Sequence, residues 1–183
     1  MQIHVAQFLK EPVGATRSFD VDEEISLDGD KARLSGEITL TRLNQSILLT
    51  GEIDARLKQM CSRCVSEFET AVPFKIEEEF FPTIDINTGL PVEKPEEEGA
   101  FFINDNHLLD TSDAFRQNLL VALPMKPLCR EDCAGLCTEC GANLNEGECG
   151  CNRTPEDSRW AELKKLKKLL STAEKSSSNR KKG

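Results

Sequence analysis

Eight cysteines carry the most specific chemistry in this sequence, and six of them fall within 23 residues. The dense stretch reads Cys129-Arg-Glu-Asp-Cys133-Ala-Gly-Leu-Cys137-Thr-Glu-Cys140-Gly and closes with Cys149-Gly-Cys151. The other two form an earlier pair, Cys61-Ser-Arg-Cys64. Cysteines at two-residue spacing suit a tetrahedral zinc site, because the short turn lets both thiolates face one ion. Gly141, directly after Cys140, fits a knuckle turn whose tight dihedrals glycine tolerates. Asn143, Asn145 and Gly147 supply turn chemistry for the return leg to Cys149.

The cysteines can be divided in more than one way. Cys137, Cys140, Cys149 and Cys151 are local enough for one four-thiolate site. Cys129 and Cys133 would then meet Cys61 and Cys64 in a second site, giving two zinc ions. In a competing arrangement only the late site binds metal, and Cys61/Cys64 is a free or redox dithiol. Disulfides are the other alternative, since eight is an even number. The start, Met1-Gln-Ile-His-Val-Ala-Gln-Phe-Leu-Lys, lacks a basic region and a long apolar run. The expected compartment is therefore the reducing cytoplasm, where paired cysteines serve as metal ligands more often than as disulfides. His4 and His107 lack metal-motif spacing and read as surface or loop histidines.

The elements that must position these cysteines are mostly strands. Ile3 to Leu9 reads as a first strand, broken by Pro12 and Gly14, and Phe19 and Val21 alternate against polar neighbours in the next segment. Asp28-Gly29-Asp30 marks a turn. Two longer alternating runs follow, 32–43 and 47–60, separated by Asn44-Gln45-Ser46. Leu34, Ile38 and Leu40 share a face in the first, and Leu49, Gly51, Ile53, Ala55 and Leu57 in the second. Cys61-x-x-Cys64 then falls at a hairpin tip before a run from Val65 to Phe81. Residues 82–99, with three prolines and Glu96-Glu97-Glu98, read as a mobile acidic loop. Phe101-Phe-Ile is a short returning strand. A helix over 110–123 opens at Asp110-Thr-Ser-Asp, keeps Phe115, Leu119, Ala122 and Leu123 at helical spacing, and stops at Pro124. Thr154-Pro155-Glu156-Asp157 opens a second helix with an apolar stripe of Trp160, Leu163, Leu166, Leu169 and Leu170.

The expected fold is α+β and mainly antiparallel β, with a cysteine-rich zinc-binding C-terminal module and two helices. Its parts are a β-rich domain over 1–127, a zinc module and helix over 128–170, and a disordered basic tail over 171–183. Charge is divided unevenly. From Trp160 to Gly183 eight lysines or arginines face two glutamates, so the −9 of the whole chain splits into +6 there and −15 before it. An acidic body repels phosphate backbones and attracts basic proteins. Lys164, Lys165, Lys167 and Lys168 are therefore the candidate RNA contacts. The longest apolar runs are only a few residues, so no membrane span is expected.

An early Cys-x-x-Cys in a β-rich setting, an acidic loop, a helix and then the late motif together resemble the YceD family, the large ribosomal RNA subunit accumulation proteins. The residues that carry the resemblance are Cys61, Cys64, Pro127, Cys129, Cys133, Gly135, Leu136, Cys137, Cys140, Gly141, Asn143, Leu144, Asn145, Cys149 and Cys151, with Arg159 and Trp160 after them. The resemblance implies a role in synthesis, processing or stability of large-subunit (23S-type) rRNA. The partner would be that rRNA, a pre-ribosomal particle, or a basic ribosomal protein for which this chain is a binding partner or chaperone.

No catalytic residues are assigned. Nuclease chemistry would need clustered carboxylates around Mg²⁺, whereas the acids here are spread along strands and a loop. A catalytic zinc keeps an open position that a four-cysteine site lacks. A thiol redox protein using Cys61/Cys64 is the remaining alternative, though the βαβ context of such motifs is missing.

Overall fold

The computed structural model describes residues 1–27, 29–93 and 99–151. The chain divides into two compact units, Met1–Gly135 and Leu136–Gly183. Cys129 and Cys133 therefore belong to the same unit as the strands.

Four long strands form an antiparallel meander: β2 (Thr16–Leu27), β3 (Asp30–Arg42), β4 (Ile47–Met60) and β5 (Glu67–Pro82). A short β6 (Phe101–Ile103) joins β5 in parallel, so the five-stranded sheet has the order β2-β3-β4-β5-β6. A separate two-stranded sheet pairs β1 (Gln2–His4) with β7 (Leu108–Asp110). Among the described residues the one α-helix, α1 (Ser112–Ala122), packs against β5 and β2.

Alternation decides which face of the sheet is covered, because successive side chains point to opposite sides. Ala32, Leu34, Ile38 and Leu40 of β3 are buried, as are Ile47, Leu49, Ile53, Ala55 and Leu57 of β4. Val72, Phe74, Ile76 and Phe80 of β5 continue that face. Ala114, Phe115 and Leu119 of α1 complete the core, and the Phe80 and Phe101 rings stack with centroids 5.3 Å apart. Gly51 interrupts the apolar series for a steric reason. A Cβ there would lie 2.5 Å from the Glu37 carbonyl oxygen and 2.9 Å from Ile38 Cγ2, so the backbones of β3 and β4 approach more closely than any side chain allows. At the β3–β4 turn, Arg42 donates to the carbonyls of Leu9, Leu43 and Ser46.

Three expectations change. The strand expected over 3–9 ends at His4, and Phe8–Lys10 forms a 3-10 turn. Phe8 and Leu9 are adjacent and both buried, which a strand covered on one face cannot satisfy. Within 82–99, residues 83–93 hold local order: Ile84 bridges Pro91, and the Asp85 carboxylate accepts the Asn87 and Thr88 amides at 3.0 and 2.7 Å. Only one of the two expected helices is observed; the other (from Thr154), the acidic run Glu96–Glu98 and the basic tail lie outside the described residues. No helix among the described residues is long and apolar enough to cross a membrane.

Candidate metal centres

The connection from β4 to β5 carries the first cysteine pair at its tip. Cys61 N–H donates to the Ser66 carbonyl at 3.0 Å, which closes the hairpin, and Val65 N–H donates back to the Cys61 carbonyl at 2.9 Å. This is the knuckle geometry, with both sulfurs on one side of the turn. It places Val65 at φ 58°, a left-handed conformation unusual for a β-branched residue.

The second pair arrives from beyond α1 and is tied to the knuckle by the main chain. Ser62 N–H donates to the Pro127 carbonyl at 2.8 Å. The Arg63 guanidinium donates to the carbonyls of Cys133 at 3.1 Å and Glu131 at 3.3 Å. The chain then turns away at Gly135 (φ 77°), where a Cβ would sit 3.2 Å from the Arg63 carbonyl oxygen. Cys61, Cys64 and Cys133 are buried and pack with Phe68 and Leu128, while Cys129 is half-buried.

The four sulfurs of Cys61, Cys64, Cys129 and Cys133 all lie within 4.8 Å of one another. Cys61 and Cys133 Sγ are 3.8 Å apart, and Cys64 and Cys129 Sγ 3.7 Å. A tetrahedron with metal–sulfur bonds of about 2.3 Å has an edge of about 3.8 Å. A disulfide requires about 2.05 Å, and none of the eight cysteines forms one.

The second unit repeats the device on a local scale. Gly141 N–H donates to the Cys137 carbonyl at 2.9 Å with Gly141 at φ 72°, the position Val65 holds in the first knuckle. Cys137 N–H donates to the Ala142 carbonyl at 2.8 Å, and Leu136 bridges Asn143. Asn143 then shapes the return: its carbonyl accepts Glu146 N–H, and its side-chain oxygen accepts Asn145 N–H, both at 3.1 Å. Cys137, Cys140, Cys149 and Cys151 form the second group with sulfurs within 4.8 Å of one another.

Protonation in these groups is uneven. Burial pushes the Cys61 thiol up, but main-chain N–H groups of Cys129, Cys64 and Arg63 outweigh it and bring the thiol down to about 6. Burial and the neighbouring sulfurs of Cys64, Cys133 and Cys61 push Cys129 up to about 12. Hydrogen bonding to Cys140 and Cys149, with burial, does the same to Cys151. Four sulfurs this close cannot all become thiolates without a cation among them. A divalent ion supplies that charge, so the donor set fits a thiophilic metal.

The sequence pattern puts Val65 at the start of a strand, whereas β5 begins at Glu67 and Val65 closes the turn, because nothing in a valine announces a left-handed conformation. The main-chain link from Ser62 to Pro127 also left no signal in the sequence. His4 is exposed on β1. His107 is half-buried in the β6–β7 turn, where its N–H donates to the Asn104 carbonyl at 2.8 Å. Neither histidine belongs to a cysteine group. Lys164, Lys165, Lys167 and Lys168 lie outside the described residues.

With this geometry established, comparison with known proteins is specific. Residues 49–167 match the profile of the large ribosomal RNA subunit accumulation protein YceD. The chain belongs to the YceD family. The match covers all eight cysteines, so both sulfur groups lie inside the YceD region. An uncharacterised protein of Mycobacterium tuberculosis is 30% identical over 141 residues, 77% of this chain and 65% of that protein. One of Mycobacterium leprae is 26% identical over 139 residues, 72% of this chain and 58% of that protein. This chain thus spans about two thirds or less of the length of these mycobacterial relatives. The chloroplastic YCED homolog 1 of Arabidopsis thaliana, named as a large ribosomal RNA subunit accumulation protein, is 30% identical over 66 residues, 36% of this chain and 21% of that protein. No solved structure matches the chain.

Proposed function

We propose that this chain is a non-enzymatic, cytoplasmic factor in ribosome biogenesis that supports synthesis, processing or stability of large-subunit, 23S-type rRNA. Membership of the YceD family is the observation that carries this reading. Zinc is the metal the reading assigns to both groups, held by Cys61, Cys64, Cys129 and Cys133 in one and by Cys137, Cys140, Cys149 and Cys151 in the other. Each set offers four sulfurs, which completes a tetrahedron and leaves no position for a reacting water. Zinc would supply folding free energy there, fixing the hairpin tip to the segment after α1 and giving the short second unit its shape. The partner is a pre-ribosomal particle, engaged through rRNA or through a basic ribosomal protein.

The reading is tested by depleting the protein and measuring 23S-type against 16S-type rRNA, with gradient sedimentation of the tagged chain. A selective fall in the large-subunit rRNA, and tagged protein in precursor large-subunit fractions, is the expected result. Unchanged rRNA ratios, with the protein confined to the top of the gradient, would overturn it. Crosslinking in cells then identifies the contact. Changing Lys164, Lys165, Lys167 and Lys168 to glutamine should weaken RNA recovery if those lysines touch phosphates.

A further inference from the structure

We propose that the free edge of β2 is a docking site for a basic, extended protein segment that joins the sheet as an additional strand. β2 pairs with β3 alone, and among the described residues no main-chain hydrogen bond reaches its other edge. Edge strands are ordinarily blunted by shortness, proline, bulges or charged side chains. β2 is neither short, proline-broken nor bulged. What guards it is charge, and from Asp20 to Glu24 that charge is all negative, which repels a like strand and attracts a basic one. β2 runs for 12 residues without proline, in unbroken register from Thr16 opposite Thr41 to Leu27 opposite Asp30. Its unpaired N–H and C=O groups are a template for strand addition.

The side chains specify the occupant. On the outward face β2 shows Ser18, Asp20, Asp22, Glu24 and Ser26, all exposed. Its other face carries Phe19, half-buried, Val21 and Ile25, buried, and between them Glu23, half-buried and paired with the Met1 amino group at 2.6 Å. Directly opposed cross-strand pairs favour opposite charges and apolar matches. Arg33 and Lys31 of β3 already pair with Asp22 and Glu24, so the charge that selects the occupant is centred on Asp20. An added strand therefore sets lysine or arginine beside Asp20, with apolar residues beside Phe19, Val21 and Ile25.

The sheet extends the same charge preference inward. Asp20 stands opposite Glu37 and Glu37 opposite Glu52, three carboxylates in one row, with Lys75 on the far side of Glu52 at 2.8 Å. Like charges directly opposed are destabilising, and a cation arriving beside Asp20 relieves that repulsion. The same carboxylates disfavour two rivals. A second copy pairing β2 with β2 would set acid against acid, and a phosphate backbone is repelled.

The proposal goes beyond the ribosomal reading and stands without it, since a basic strand from any protein would serve. Its test uses the full, zinc-loaded chain and a peptide of about ten residues alternating lysine and valine. A second peptide, N-methylated throughout, keeps the charges but loses every main-chain donor. The expected result is new protection of β2 amides from hydrogen exchange by the first peptide. Its affinity should exceed that of the methylated peptide by about tenfold or more, the size of loss when a few net hydrogen bonds go unmade. Asp20→Asn should weaken the first peptide and leave the fold unchanged, because Asp20 is exposed. Equal binding of both peptides would reduce the contact to charge alone and overturn the proposal. Protection confined to other strands would do the same. So would a single-stranded RNA that protects the β2 amides where the peptide does not.

Discussion

Severing the first cysteine group should cost the β-rich unit far more than severing the second. The perturbation is the double substitution Cys129→Ser with Cys133→Ser, which removes the late leg of the group and leaves Cys61 and Cys64 in their knuckle. The sulfurs that meet there are 72 and 65 residues apart in sequence. A cross-link over a loop of that length restricts the unfolded chain by about 4 kcal/mol, whereas a loop of about 15 residues is worth about 3 kcal/mol. The more telling difference is where each effect falls. Cys61, Cys64, Cys129 and Cys133 belong to Met1–Gly135, while Cys137 to Cys151 belong to Leu136–Gly183. With metal bound, the double variant should lose up to about 4 kcal/mol in the sheet unit, a fall of roughly 8–16 °C in Tm for a chain of this size. Cys149→Ser with Cys151→Ser should leave that transition in place. Urea unfolding read by far-UV circular dichroism follows the strands, and hydrogen exchange of β4 and β5 amides assigns the loss. Equal loss from both double variants, or chelator leaving the parent sheet transition unmoved, would refute the reasoning.

Other expected outcomes are simpler to read. Protein purified under reducing conditions should contain two zinc ions per chain by metal analysis, and Cys137→Ser should bring the ratio to one. Gly51→Ala should destabilise the sheet despite alanine's ordinary advantage over glycine in a strand. Its Cβ would press the Glu37 carbonyl oxygen at 2.5 Å, and overpacking of that kind costs about 1–3 kcal/mol in denaturant melts. The Asp110 carboxyl is buried in part, which raises its pKa, but the Ser112 hydroxyl, the Gln2 amide and the Ser112 N–H outweigh that and hold it below the usual range. Its stabilisation is therefore complete above the unfolded value and is lost as pH falls through the lower folded one. Asp110→Asn should flatten that part of the acid unfolding curve, and a parent curve that runs parallel to the variant's from neutral pH down through the whole acid range would discount the carboxylate.

Much of the sheet could be read from alternation alone. The runs 32–43 and 47–60 become β3 and β4 almost residue for residue, because a strand covered on one face must repeat apolar residues at every second position. Short, locally closed features were legible for a similar reason. The Cys137-x-x-Cys140-Gly141 knuckle is fixed by neighbours in sequence, and glycine marks its left-handed position. The same position in the first knuckle was hidden, since Val65 is held at φ 58° by the hairpin and by Ser62 N–H bonding Pro127. Phe8 and Leu9 misled for a related reason, as two adjacent apolar residues fit a strand pattern until both must be buried at once.

The sequence by itself determined that this chain is β-rich and acidic through Arg159, and that it carries thiol pairs at metal-ligand spacing. Each of these is a matter of composition or of separations of a few residues, over which the covalent chain leaves little choice. Only the tertiary structure decided that Cys61 and Cys64 gather with Cys129 and Cys133. Pairs that far apart meet only because the β4–β5 hairpin tip and the exit of α1 converge on one place, and spacing along the chain says nothing about such paths. That β2 pairs on one side only among the described residues, and that Asp20, Glu37 and Glu52 stand in one row, were settled in the same way. Strand order and register, both long-range properties of the sheet, choose which backbone stays unpaired and which charges stand face to face.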